Sequence, residues 1–111
     1  MDKLILEVET ALRDRSLINN PHLCAEYRSQ LSGEYSYIVG QLEEIKAGKP
    51  LVWLEMRTHF KSDSATDKAY EATESGLEET RLRGQCKRVE KLISGLGSLI
   101  RIAEGESKHI Y

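Results

Sequence analysis

Apolar residues in the last third of the chain recur at alternating steps of four and three positions. The row comprises Leu82, Cys86, Val89, Ile93, Leu96, Ile100 and Ala103. This spacing places the apolar side chains along one face of a helix and is typical of a coiled coil or a helical bundle. It predicts a long helix over residues 65–103 whose apolar face needs a helical neighbour.

A second row with the same spacing supplies that neighbour. It comprises Cys24, Arg28, Leu31, Tyr35, Ile38, Leu42 and Ile45. Arg28 is the one charged residue in it. Pro21 suits the first turn of a helix, and Gly48 followed by Pro50 favours a helix end, so the predicted bounds are 21–47.

Shorter helices are predicted over residues 3–18 and 51–60, and residues 105–111 are predicted to be a flexible tail. The second and last helices, joined through the short one, would form an antiparallel hairpin. Leu92 and Leu99 lie beside the apolar row of the last helix and widen it. A stripe of that width needs two neighbours, which could be the N-terminal helix and a second copy of the chain.

The predicted fold is therefore all-α, with one helical domain over residues 1–111. We expect an antiparallel, coiled-coil-like helical hairpin with the N-terminal helix packed alongside. The remaining apolar surface predicts that two chains assemble into a helical-bundle homodimer.

Composition excludes several classes of function. The 111 residues carry a formal net charge of -2, which gives no bulk basic character for nucleic acid or an anionic membrane. No apolar run is long enough to span a bilayer, and the two cysteines form no CxxC or zinc-binding spacing. We expect a soluble, cytoplasmic protein with reduced thiols, no metal or cofactor, and no catalytic motif, hence not an enzyme.

One cluster of large side chains is the strongest candidate for protein binding. It comprises Trp53, Met56, Arg57 and Phe60. Tryptophan and arginine are over-represented among residues that dominate binding energy. The alternative interpretation is that Trp53 and Phe60 fill the end of the hairpin as core residues.

Charge along the last helix offers a second candidate surface. The basic residues are Arg81, Arg83, Lys87, Arg88 and Lys91, and carboxylates precede them. Such a distribution complements the helix dipole and needs no ligand. The functional alternative is a face that binds DNA or RNA through phosphate contacts. An acidic stripe, which we interpret as solvent-exposed rather than as a Mg²⁺ site, comprises Asp63, Asp67, Glu71, Glu74 and Glu78.

The segment ESGLEETRLR at residues 74–83, followed by KRVEKLIS at residues 87–94, resembles small helical proteins encoded in tailed phages and prophages. WLEMR at residues 53–57 and Ser62-Asp63 fit the same resemblance. It covers about the C-terminal half of the chain. These proteins are mostly of unassigned function, so the resemblance implies a setting rather than site residues.

That setting is an accessory gene whose product works in the host cytoplasm. We therefore predict a non-enzymatic accessory protein that acts by protein–protein contact, with itself and with a host or phage protein. The alternative is a DNA- or RNA-binding accessory protein of phage replication or recombination.

Overall fold

The computed structural model describes residues 2–109, with the side chains of residues 2–105. This range contains four helices and no strand: α1 (Asp2–Arg13), α2 (Pro21–Arg57), α3 (Asp63–Glu71) and α4 (Glu74–His109). The predicted all-α class is confirmed. The chain divides into two compact units, which meet in sequence at Ser36/Tyr37 and at Cys86/Lys87. The single domain and the homodimer stay predictions.

The first unit contains α1, the beginning of α2 and most of α4. Its core contains side chains from all three helices and from the turn after α1: Ile5, Val8, Leu17, Cys24, Leu31, Val89, Leu92 and Leu96. Ile5 and Val8 are fully buried, and each such side chain contributes about 1.5–3 kcal/mol by leaving water. The predicted packing of the N-terminal helix beside the other two is confirmed.

Helices α2 and α4 pack together in opposite directions. Arg28 of α2 lies against Gly97 of α4, and the Tyr35 hydroxyl donates a hydrogen bond to Glu90 at 2.5 Å. Residue numbers rise along α2 as they fall along α4, so the pair is antiparallel, as predicted. An ion pair of 2.6 Å between Arg88 and Glu9 also joins α4 to α1.

The second unit, Tyr37–Cys86, contains the rest of α2, all of α3 and the start of α4. Its buried side chains come from all three helices: Ile38, Leu42, Thr66, Tyr70, Leu82 and Cys86. Gln85 is buried as well. Gln85 lies one heptad before Leu92, so the buried face of α4 includes a polar residue.

Helix α1 ends at Arg13, earlier than the predicted residue 18. The chain then turns through Arg15 and Asn19, both with φ of 61°, and Leu17 between them is buried in the core. Left-handed backbone is common for asparagine and uncommon for arginine. A straight helix would leave Leu17 out of this core, so burial selects the turn.

Helix α2 continues to Arg57. The predicted end at residue 47 and the predicted separate helix over residues 51–60 are therefore wrong. Pro50 lies inside the helix and is exposed. It removes one backbone hydrogen bond, to the carbonyl of Lys46, and that exposed turn can bind water instead. Lys49 and Trp53 continue the inward face of α2, so packing outweighs the local breaking signal.

The predicted helix over residues 65–103 is two helices, α3 and α4, separated at Ala72 and Thr73. The Thr73 hydroxyl donates to the Tyr70 carbonyl at 2.6 Å and accepts from the Gly76 amide at 3.1 Å. It thus ends one helix and begins the next. Helix α4 runs to His109, past the predicted end, and residues 110–111 of the predicted tail lie outside the described residues.

Candidate functional site at the end of helix α2

Two side-chain hydrogen bonds join the end of α2 to the beginning of α3, and a third joins it to the segment between the two helices. The Trp53 indole donates to Asp67 Oδ1 at 2.8 Å. Arg57 Nε donates to Asp63 Oδ1 at 2.8 Å, and its Nη1 donates to the Phe60 carbonyl at 2.6 Å. We call residues 46–67 the corner. These contacts orient the Trp53 ring and the Arg57 guanidinium.

The four residues predicted to bind protein all lie in the corner, but they differ in exposure. Trp53, Met56 and Arg57 are half-buried, and Phe60 is exposed. The polar groups of Trp53 and Arg57 are already occupied within the chain. Both the predicted binding role and the alternative core role are compatible with this arrangement, so the binding role stays a prediction.

Three aliphatic side chains that sequence analysis did not select are the most exposed apolar groups of the corner. Leu51 is 77% exposed, Leu54 59% and Val52 41%. Together with Trp53 they form an unbroken run of four apolar residues. One helix face cannot bury four consecutive residues, because successive side chains are about 100° apart. That run is the signal from which these residues could have been found.

A shallow groove lies along the same side of α2. Its volume is about 420 Å³, and it is lined by Lys46, Lys49, Pro50, Trp53 and Leu54. The Pro50 ring and the Leu54 side chain supply apolar surface, while the two lysines place positive charge along one edge. The groove therefore combines apolar contact area with charge, as the rims and centres of protein interfaces do.

A second, polar cavity of about 330 Å³ lies in the same unit and also includes Lys49. Its charged centre is Glu79, whose side chain is nearly buried between Arg83 at 2.8 Å and Lys49 at 3.9 Å. The Lys49 ammonium also lies 4.8 Å from the centre of the Tyr70 ring. A buried carboxylate is tolerated because two cations compensate its lost hydration.

Tyr70 is buried in this region, and its hydroxyl has no hydrogen-bond partner among the described residues. Burial raises the pKa of Tyr70, and the negative charge of Glu79 raises it further. The phenol is therefore held neutral. Neither Tyr70 nor Glu79 could be recognised from the sequence. The sequence predicts a single straight helix through both residues, and only the break between α3 and α4 brings them together.

Most of the predicted nucleic-acid-binding residues already have carboxylate partners. The ion pairs are Arg81 with Glu78, Arg83 with Glu79, and Arg88 with Glu9. The pair at Glu78 is bidentate, with distances of 3.0 and 2.5 Å, and the Arg81 hydrogen bond lowers the pKa of Glu78. Lys87 and Lys91 are exposed, and neither forms an ion pair with a described residue.

The acidic stripe is also partly used within the chain. Asp63 bonds to Arg57, Asp67 to Trp53, and Glu78 to Arg81. Within residues 2–109, no group of three or more His, Cys, Asp or Glu side chains is arranged to hold a metal ion. Cys24 and Cys86 are both buried. Over the same residues, none of the helices is both long and apolar enough to cross a membrane.

Comparison with known proteins returns no match to a family model, to a curated protein or to a solved structure. Functional interpretation therefore depends on the chemistry of the corner and of the surfaces described above.

Proposed function

We propose that this chain is a non-enzymatic interaction protein that binds another protein through the corner at the end of α2. The surface comprises Leu51 and Leu54 with the adjacent Trp53, and the predicted residues Met56, Arg57 and Phe60 extend it. A partner helix or loop would place apolar side chains in the groove beside Pro50. The lysines at its edge would favour acidic residues around that contact.

The observation that carries this proposal is the concentration of exposed apolar side chains at the corner. Leu51, Val52, Leu54 and Phe60 fall within ten residues. The other large exposed apolar side chains among residues 2–105 stand at intervals along the chain: Leu6, Ile18, Tyr37, Leu77 and Ile102. Isolated apolar residues on a surface are ordinary, but a cluster rimmed by polar groups is typical of an interaction site.

The hydrogen bond from Trp53 to Asp67 supports the same proposal. The Trp53 indole donates to Asp67, and this hydrogen bond favours the orientation in which the ring lines the groove. A side chain that is rigid before binding loses little conformational entropy when the partner arrives. Aromatic anchors of this kind commonly dominate the binding energy of an interface.

The proposed setting is that of an accessory protein of a phage or prophage, working in the host cytoplasm on a host or phage protein. Its support is the sequence resemblance of residues 74–94. Self-association into a homodimer is part of the proposal, because an exposed apolar cluster can be covered by a second copy of itself.

The alternative function, binding of DNA or RNA, has weaker support. Arg81, Arg83 and Arg88 are each paired with a carboxylate, so binding a phosphate would first require those pairs to break. Only Lys87 and Lys91 of the five predicted residues present charge without such a pair among the described residues.

Site-specific photocrosslinking tests the protein-binding proposal. A photoreactive phenylalanine analogue replaces either Leu54 or Leu6 in the chain expressed in the cell that naturally carries the gene. These leucines are matched, since they are 59% and 60% exposed. We expect a discrete crosslinked protein, which could be a second copy of the chain, from position 54 and none from position 6.

A double substitution then measures the contribution of the surface. Leu51→Ser with Leu54→Ser should abolish the crosslink of a probe at Phe60, while Leu6→Ser with Leu77→Ser should leave it intact. Circular dichroism should show equal helix content in both variants, because all four leucines are exposed. Equal adducts from positions 54 and 6, or an adduct that survives the corner substitutions, would contradict the proposal.

A further inference from the structure

Arg28 occupies a core-type position in the apolar row of α2, yet its side chain is exposed and lies against α4. It meets Gly97, a buried glycine in that helix. A Cβ placed on Gly97 would be 3.7 Å from Arg28 Cζ, 3.8 Å from Nη1 and 4.0 Å from Nη2. The guanidinium therefore lies over Gly97 at a distance that leaves room for a methyl group but not for a large side chain.

Those three distances define the orientation of the guanidinium. A point nearly equidistant from three atoms of a planar group lies above the face of that group, so the Arg28 plane is stacked flat on α4. The N–H groups of a guanidinium point outward in its plane. They consequently project sideways from the contact, and none of the described residues forms an ion pair or hydrogen bond with them.

A second guanidinium lies one helical turn further along α4. Arg101 is four residues after Gly97 and thus on the same side of the helix. It donates one hydrogen bond of 3.1 Å, to Ser98 Oγ, and forms no ion pair with a described residue. Both arginines line one groove of about 400 Å³, together with Tyr35, Glu90, Ile93 and Ser94.

The groove has a charged end and an apolar middle. Ile93 is half-buried, as is Tyr35, whose hydroxyl is committed to Glu90 at 2.5 Å. Two arginines against one carboxylate leave a local excess of positive charge in a protein whose net charge is -2. Guanidinium groups bind carboxylates and phosphates in the same bidentate manner.

We propose that this groove binds a small organic oxyanion, with its carboxylate or phosphate on Arg28 and Arg101 and its apolar body on Ile93 and Tyr35. Glu90 repels a second negative charge and so fixes the direction of the ligand. The site is separate from the corner and does not depend on the proposed function of the corner. Its key residues are Arg28, Arg101 and Gly97.

Titrations followed by NMR test this proposal with phenyl phosphate, benzoate, inorganic phosphate and benzyl alcohol. We expect saturable shifts of the Gly97 amide and the Ile93 methyl groups with phenyl phosphate, benzoate or both. The affinities for phenyl phosphate and for benzoate show whether the site prefers a phosphate or a carboxylate. Benzyl alcohol should cause no saturable shift, because it lacks the charge. Failure of both aryl anions to bind, or equal binding of benzyl alcohol, would overturn the proposal.

Substitutions locate the site. Arg28→Gln should weaken binding at least about tenfold, because a charge-assisted bidentate contact is lost. Arg13→Gln removes the same charge from an exposed position on α1 and should leave the affinity unchanged. Arg101→Gln provides an independent variant should Arg28→Gln lower the melting temperature. Equal affinity in the wild type and in both groove variants would contradict the proposal.

A matched pair at Gly97 tests the stacked geometry without changing any charge. Gly97→Ala places its Cβ at ordinary contact distance and should preserve binding. Gly97→Leu fills the space beneath the guanidinium and should weaken binding as much as Arg28→Gln. Retained affinity in Gly97→Leu would show that Arg28 does not act from this position.

Discussion

At the scale of single residues, Gly76 is the glycine at which an added Cβ would clash with the backbone. A Cβ built there would overlap the carbonyl oxygen of Tyr70 and lie 2.8 Å from Glu71 Cα. These are backbone atoms, which cannot rotate away as a flexible side chain can. The first turn of α4 approaches the end of α3 closely because residue 76 has no side chain.

Gly76→Ala should therefore destabilise the fold by about 1–3 kcal/mol, since the added methyl group forces the two helices apart. Gly84→Ala is the control: it lies in the same helix, and no atom comes within 4 Å of its built Cβ. That change should stabilise the fold by up to about 1 kcal/mol through helix propensity. Urea denaturation measures both, and equal effects would contradict the steric explanation.

Tyr70 is the other residue whose surroundings are unusual, because its buried hydroxyl lacks a partner among the described residues. Tyr70→Phe should stabilise the fold by about 1–2 kcal/mol, since the hydroxyl loses its hydration on folding. Tyr37→Phe, at a side chain that is 65% exposed, should have no measurable effect. A loss of stability in Tyr70→Phe would reveal a hydrogen bond to this hydroxyl.

The same substitution should alter the response to alkali. Burial raises the pKa of Tyr70 above the ordinary value of 10.0, which applies to the unfolded chain. The unfolded chain therefore loses this proton at a lower pH than the folded chain does. Ionisation of Tyr70 consequently leaves the free energy of unfolding unchanged below pH 10 and lowers it as the pH rises above that value. Denaturation curves across that range should show a smaller decline in Tyr70→Phe. Tyr27, whose pKa is also raised, accounts for a remaining part of the decline in both proteins.

At the scale of elements, single hydroxyl groups cap the starts of α3 and α4. The predicted start of the last helix is residue 65. In the structure α3 begins at Asp63, and the Ser62 hydroxyl accepts a hydrogen bond from the Ala65 amide at 3.1 Å. The Ser62 carbonyl also accepts from the buried Thr66 hydroxyl at 2.8 Å.

Ser62→Ala should consequently cost about 1 kcal/mol of stability, the usual effect of removing a helix cap. Ser64→Ala, two residues later and exposed, should change stability by less than about 0.5 kcal/mol. Chemical denaturation compares the two variants. Amide hydrogen exchange in α3 should be faster in Ser62→Ala alone, and a larger effect at Ser64 would show that the cap is assigned to the wrong serine.

Elements that depend on periodicity are predicted well from the sequence, and elements that depend on local exceptions are not. The apolar rows of α2 and α4 are long enough to specify two helices that pack together. Pro50 is a strong helix breaker in isolation. Helix α2 nevertheless continues through it, because the helical conformation places Lys49 next to Glu79 and Trp53 next to Asp67. Thr73 is a weak signal in isolation, yet it separates α3 from α4.

At the scale of the whole molecule, charge is distributed so that opposite signs meet. Net charge is close to zero, and the arginines of the predicted nucleic-acid surface are neutralised by carboxylates in both units. Among the described residues, the basic groups without an ion pair include Lys87 and Lys91 on α4 and Arg28 and Arg101 at the groove. A nucleic acid, which presents closely spaced phosphates, requires an extended basic surface.

Gel-shift titrations with duplex DNA and single-stranded RNA should accordingly show no complex near physiological salt. At low salt, any residual binding should weaken when Lys87 and Lys91 are both replaced by Gln. Arg83→Gln should have little effect on such binding, because its guanidinium is engaged with Glu79. A stable complex at physiological salt would favour the nucleic-acid alternative over protein binding.

The sequence by itself determines the class of fold and the pairing of the two long helices. Repeated apolar positions act additively over many turns, so no single residue can obscure them. It also indicates the region around Trp53 as a candidate surface. Only the tertiary structure decides which groups there are occupied, because the hydrogen bonds of Trp53 and Arg57 depend on the placement of α3. Likewise, the flat contact between Arg28 and Gly97 joins residues that are distant in sequence, and only the packing of α2 on α4 brings them together.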